Sequence, residues 1–165
     1  MPHGKLHFPM PAPSARAFEA FFNHRVRLEW DTLLRVNYVE GGGDHAYAGA
    51  ITVNRGSGWK GGFEMRTRFL TYDPPHMAAA ELLAPTGLFA LWAATMRFRD
   101  TREGGSEMTY TYTLRMRPRA LAWLLDPLAN ALFARETRRR FAAMAEYLRV
   151  QSTAPPLSEP NHGLR

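Results

Sequence analysis

Met108-Thr109-Tyr110-Thr111-Tyr112-Thr113-Leu114-Arg115-Met116-Arg117 alternates large apolar or aromatic residues with threonine and arginine, one residue at a time. Successive side chains of a β-strand point to opposite faces, so this stretch is a strand with one apolar and one wet face. Directly after it the period changes. From Arg119 to Val150 the residues Leu121, Leu124, Leu125, Leu128, Leu132, Phe141, Met144 and Leu148 recur at helical spacing. A two-faced strand running into a long terminal helix implies an α+β domain whose last helix covers the apolar side of a sheet. Pro127 predicts a kink near the start of that helix, or a short first turn set apart from it.

Working back from this junction, the same period-2 signal repeats between turn residues. Trp92, Ala94, Met96 and Phe98 alternate with Arg97 and Arg99 in Leu88 to Arg99, and Gly104-Gly105 turns the chain after it. Met77 to Leu83 reads as a strand despite its alanines, behind the turn Asp73-Pro74-Pro75. Phe63, Met65, Thr67 and Phe69 oppose Glu64, Arg66 and Arg68. A loop around Trp59, flanked by Gly56-Ser57-Gly58 and Gly61-Gly62, separates them from a return strand spanning His45 to Val53. Leu34, Val36 and Tyr38 make the strand before the Gly41-Gly42-Gly43-Asp44 turn. These six antiparallel strands and Lys5 to Phe8 predict a curved sheet of seven.

Between the first two strands lie two short helices. Pro9, Pro11 and Pro13 end the opening strand, and Ser14 stands as N-cap to a helix carrying Phe18, Phe21 and Phe22 on one stripe. Asn23-His24 marks a break, with a capping role expected for His24, and Arg25 to Trp30 forms the second helix. Residues 1–150 are thus expected to be one domain, and the tail from Gln151, with Pro155, Pro156 and Pro160, to be polar and flexible.

The order strand, two short helices, six-stranded meander and long terminal helix resembles the START-like helix-grip superfamily. It is most similar to the SRPBCC branch, in the group called polyketide cyclase/dehydrase and lipid transport. Three stretches within residues 5–150 carry the likeness: Pro11-Ala12-Pro13-Ser14 with Ala17-Phe18-Glu19-Ala20-Phe21, then Arg27-Leu28-Glu29-Trp30-Asp31, and finally Ala142-Ala143-Met144-Ala145-Glu146-Tyr147-Leu148. The resemblance implies a deep cavity between sheet and terminal helix, used in the family for lipids, polyketides, quinones and similar molecules. It implies binding of a small hydrophobic or aromatic ligand, or cyclase/dehydratase chemistry on a bound one. A docking module using the basic helix is a third reading.

Composition narrows these classes. The chain has no cysteine, which excludes disulfides, thiolate metal sites and cysteine nucleophiles. Aromatic residues reach 12%, enough to line a hollow as well as fill a core. No apolar run suits a signal peptide or a transmembrane helix, so a cytoplasmic protein is expected. The charge of +6 is almost all arginine, the lysines being Lys5 and Lys60, and it comes with no nucleic-acid-binding motif, so no specific nucleic acid is expected. The six histidines show no ligand spacing, and no phosphate loop or dinucleotide fingerprint is present, so neither metal nor cofactor is expected.

An apolar cavity acquires function from a few polar groups within it. Inward alternation nominates Met65, Thr67, Phe69, Trp92, Met96, Tyr110 and Tyr112 from the sheet, with Leu128 and Leu132 from the helix, as ligand contacts. Trp30 is expected to anchor the second helix. Tyr110 and Tyr112 are also the candidates for donating a proton during enolisation, against the plainer role of core aromatics. Glu81 shares its face with Ala79 and Leu83. Inside a cavity its pKa would rise and suit acid–base work, but exposure on the outer face is the expectation, as for Arg66 and Arg68. The Arg135-Glu136-Thr137-Arg138-Arg139-Arg140 stretch is expected to be a solvated face, with Glu136 and Arg140 an i, i+4 pair.

Overall fold

Leu114, Tyr112, Tyr110 and Met108 stand directly opposite Trp92, Ala94, Met96 and Phe98 on the neighbouring strand, so the apolar faces of two consecutive strands merge into one surface. The computed structural model describes residues 3–56 and 64–153. In chain order these form β1 (His3–Met10), α1 (Ser14–Phe22), α2 (His24–Trp30), β2 (Leu34–Val39), β3 (Ile51–Gly56), β4 (Glu64–Asp73), β5 (Met77–Leu82), β6 (Phe89–Asp100), β7 (Ser106–Met116), a 3-10 turn at Arg119–Leu121, and α3 (Ala122–Thr153). Among the described residues the seven strands make one sheet in the order β1-β7-β6-β5-β4-β3-β2. Every neighbouring pair is antiparallel. The meander therefore runs outward from β7, and β1 adds to its free edge. Pro9 is tolerated inside β1 because an edge strand has one unpaired side.

The inner face is continued by Ala78 and Ala80 of β5, opposite Met96 and Ala94, by Phe69 of β4, opposite Ala80, and by Thr67 of β4, opposite Thr52 of β3. Phe18, Phe21 and Phe22 of α1 pack over it, with Phe18 edge-on to Phe98 at 5.6 Å and Phe22 edge-on to Phe69 at 5.9 Å. Trp30 anchors α2 to α1 by donating its indole N–H to the Ala20 carbonyl at 2.9 Å. From α3, Phe141, Met144 and Leu148 are buried against the sheet.

Several local expectations need correcting. Ser14 is the first residue of α1 and its hydroxyl caps nothing. Its backbone N–H is instead taken by the Asp100 carboxylate, 2.6 Å away at the end of β6. The cap of α2 is Asn23, whose side chain accepts from the N–H groups of Arg25 and Val26. His24 is a buried residue of α2 rather than a cap. The return strand predicted from His45 begins only at Ile51; His45 makes a lone bridge with Asn23. Pro127 does not break α3, which runs on through it although its missing N–H forgoes one bond to the carbonyl of residue 123. The helix also extends three residues into the expected tail, to Thr153. The rest of that tail and the Trp59 loop lie outside the described residues.

The largest correction concerns the helix face. Leu128 and Leu132 are 59% and 53% exposed, and Leu121 and Leu124 share that exposed side. Leu132 precedes Phe141 by about 2.5 helical turns, so the two residues point in opposite directions. Periodicity had merged two stripes, and the one containing Phe133, Thr137, Phe141, Met144 and Leu148 faces the sheet. Asp126 sets this rotation by accepting the Met116 N–H at 2.8 Å, tying the start of α3 to the end of β7.

Candidate functional site

Between α1, α2 and α3 and the concave sheet lies a cavity of about 130 Å³. Its floor is kept low by Ala78, Ala80 and Ala94, side by side across β5 and β6, where larger side chains would fill the space. Six of the residues nominated from alternation line it: Met65, Thr67, Phe69, Trp92, Met96 and Tyr110. Three others do not. Tyr112 is buried beside the cavity, its ring 4.7 Å from Phe133 and lying over Gly4. Leu128 and Leu132 are outside for the rotational reason given above, and Phe133 of α3 takes their place in the wall.

Glu81 is excluded from the site. It stands on the outer face opposite Arg68 and accepts a 2.6 Å hydrogen bond from that guanidinium. Arg66 is likewise outside, forked onto Glu40. Tyr110 remains as the candidate proton donor. Burial pushes its phenol well above the ordinary tyrosine value, so it is a neutral hydroxyl at any physiological pH, although the Arg27 charge and the Trp92 N–H beside it draw the value back in part. Thr52 and Thr67 satisfy each other across the β3–β4 pair at 2.8 Å.

The polar groups that sequence reasoning missed come from the helices. Arg27 of α2 and Arg140 of α3 both line the cavity. Both bind one oxygen of the buried Asp31: Arg27 Nε donates to Oδ2 at 3.0 Å, and Arg140 Nε and Nη2 donate to it at 2.7 and 2.5 Å. Burial pushes the Asp31 carboxyl up, and the Arg27 guanidinium draws it back. The Arg27–Asp31 spacing is i, i+4 and was visible as such. Arg140 is 109 residues from Asp31 and left no trace in the sequence. This corrects the view of Arg135 to Arg140 as a solvated face, since Arg140 and Thr137 point inward.

Asn54 Oδ1, an acceptor of the wall, is buried without a hydrogen bond, and Trp92 Nε1–H, also buried, has the Tyr110 hydroxyl beside it but forms no good bond to it. Among the described residues no group of histidine and carboxylate side chains is arranged to hold a metal ion. Nor is any described helix long and apolar enough to cross a membrane.

Residues 3–149 match the family described as polyketide cyclase / dehydrase and lipid transport. The chain belongs to that family. Solved structures repeat the seven-stranded sheet and gripping helix at low identity. The crystal structure of Ara h 8.0201 is 12% identical with a TM-score of 0.71, covering 90% of this chain and 98% of that one. TTHA0849 from Thermus thermophilus is 15% identical with a TM-score of 0.73, covering 92% and 100%. XoxI from Bacillus cereus is 11% identical with a TM-score of 0.72, covering 93% and 100%. Likeness at this identity shows the START-like helix-grip fold and nothing about ligands. Among curated proteins none matches the sequence.

Proposed function

We propose that the protein binds a small hydrophobic or aromatic molecule in the cavity between the sheet and α3. The observation that carries this reading is the alanine floor. Ala78, Ala80 and Ala94 keep a hollow where the inner face around them carries Phe69 of β4, Met96 of β6 and Tyr110 of β7. Protein interiors ordinarily close such voids, because unfilled space costs stability.

The volume limits the occupant. About 130 Å³ is close to the ~150 Å³ of an apolar cavity that holds benzene, and below the ~300 Å³ at which pockets for larger ligands begin. The reading is therefore a ligand of one ring, or the terminal ring or short chain of something larger. A whole lipid or fused polyketide needs α3 to move outward.

Toluene titration followed by NMR tests the proposal. The methyl resonances of Met65 and Met96 are expected to shift together and saturate, and the Ala94→Leu protein to show neither change. Unmoved methyls in the wild-type protein would sink the proposal. Native mass spectrometry of the purified protein, searched for a co-purified small molecule, is the complementary measurement.

A cyclase or dehydratase activity is the second reading, and the position of Tyr110 favours it. Its neutral hydroxyl, within electrostatic reach of Arg27, suits donation to a ligand carbonyl during enolisation. Among the described residues the cavity wall carries no carboxylate to serve as partner base, which is why binding stands first.

A further inference from the structure

The polar groups of the cavity are unequal in kind. Arg27 and Arg140 converge on a single oxygen of Asp31, while Asp31 Oδ1 accepts from the Leu33 N–H at 3.2 Å. The side chains of Arg27, Arg140 and Asp31 are 9%, 17% and 0% exposed, so the cluster is largely out of water. Two guanidiniums share one carboxylate, so among these three side chains the positive charge exceeds the negative by at least one whether or not Asp31 is ionised. Buried charge without a partner is costly, and such a cluster favours a second anion. Phe21 softens this excess without cancelling it, its ring centroid lying 4.1 Å from the Arg27 guanidinium carbon and 5.2 Å from that of Arg140.

A second observation points the same way independently. Trp92 Nε1–H is a buried donor in the cavity wall that makes no well-formed hydrogen bond, the Tyr110 hydroxyl being the acceptor beside it. Indole N–H groups ordinarily find a partner when buried, and this one can only donate. Tyr110, close enough to Arg27 and Trp92 to feel both, contributes another hydroxyl. The wall thus offers several donors, two of them cationic, to a space bounded mainly by alanine, methionine and phenylalanine, with the Thr52–Thr67 pair and Asn54 as its other polar groups.

We propose that the ligand of this cavity is a small organic acid, bound through a carboxylate. The carboxylate docks on Arg27 and Arg140, whose planar forks suit two-oxygen acceptors, with Trp92 N–H as a flanking donor. The apolar body lies over Ala80 and Ala94. Asn54 Oδ1, a buried acceptor without a donor, is placed to take a hydroxyl substituent on that body. This inference rests on the cavity being a ligand site at all, and it adds the charge of the ligand to that reading.

Benzoate and benzyl alcohol share size and ring and differ in charge, so NMR titration of the wild-type protein with each, at pH 7, separates the two claims. Benzoate is expected to bind at least about tenfold more tightly, roughly 1.4 kcal/mol. The side-chain Nε–Hε resonances of Arg27 and Arg140 are expected to move with benzoate and stay still with benzyl alcohol. In Arg140→Gln, checked for folding by circular dichroism, benzoate is expected to weaken several-fold more than benzyl alcohol, so that the acid preference shrinks.

Equal affinities with unmoved arginine resonances would overturn the acid and leave the apolar site standing. Failure of both compounds and of toluene would remove the site itself. If Arg140→Gln does not fold, the wild-type arginine resonances decide, together with Trp92→Phe. That variant is expected to weaken benzoate more than benzyl alcohol, and equal weakening would count against the proposal.

Discussion

Gly4 of β1 lies directly opposite Tyr112 of β7, and the Tyr112 ring occupies the space that a side chain at residue 4 would need. A Cβ placed on Gly4 would overlap the outer carbons and the hydroxyl of that ring. The missing side chain of one residue therefore gives the other its resting place, and it draws Tyr112 towards the sheet edge and Phe133 instead of into the cavity.

Gly4→Ala is accordingly expected to destabilise the protein by about 1–3 kcal/mol, the usual cost of overpacking. Chemical denaturation measures it. In the Gly4→Ala/Tyr112→Ala double variant the two costs are expected to be less than additive, because the clash vanishes with the ring. Strict additivity would show that the ring is not what residue 4 meets.

The Asp31 cluster predicts an asymmetry between its members. Asp31→Asn removes the carboxylate that Arg27 and Arg140 share, and a loss of about 3–5 kcal/mol is expected from leaving largely buried cations without it. Arg140→Gln leaves a one-to-one Arg27–Asp31 pair and is expected to cost less. Urea unfolding of the two variants gives the order, and a milder Asp31→Asn would refute it.

His24 predicts a loss of stability in mild acid. Its Nδ1–H donates to Asn37 Oδ1 at 2.7 Å, while Nε2 is buried without a hydrogen bond. Burial, and then the nearby Arg27, push its pKa down to about 4 from an ordinary 6.5. A histidine harder to protonate when folded favours the unfolded chain as pH falls. Its contribution is thus complete above pH 6.5 and is lost progressively towards pH 4, by about 3 kcal/mol. Denaturation midpoints at pH 7 and pH 4.5 measure this, and His24→Gln is expected to flatten the difference.

Ala94→Leu is expected to raise stability by about 0.5–2 kcal/mol while abolishing ligand binding, because it fills space the native protein leaves open. Thermal unfolding monitored with and without toluene reads both effects. A destabilised variant would mean that the hollow has a shape leucine cannot fill.

Much of this molecule was legible in order and period. Alternation from Leu34 to Met116 marked the strands and their inner faces, which is why Met65, Thr67, Phe69, Trp92, Met96 and Tyr110 could be chosen from the sequence and why Glu81 was expected outside. The two short helices and the terminal one followed from apolar spacing. Caps were harder, because Ser14 and Asp100 meet across 86 residues and a local rule sees only the serine.

What the amino-acid order determined is the set of elements and the direction of each strand's side chains, since a period of two leaves a side chain only two choices. The rotation of α3, and with it the replacement of Leu128 and Leu132 by Phe133, was decided only when Asp126 met the end of β7, because a helix with two apolar stripes can present either. The charged end of the cavity was likewise a tertiary decision. Arg140 and Asp31 become partners only when the last helix closes over the second, and no local interaction can foretell a contact made between such distant parts of the chain.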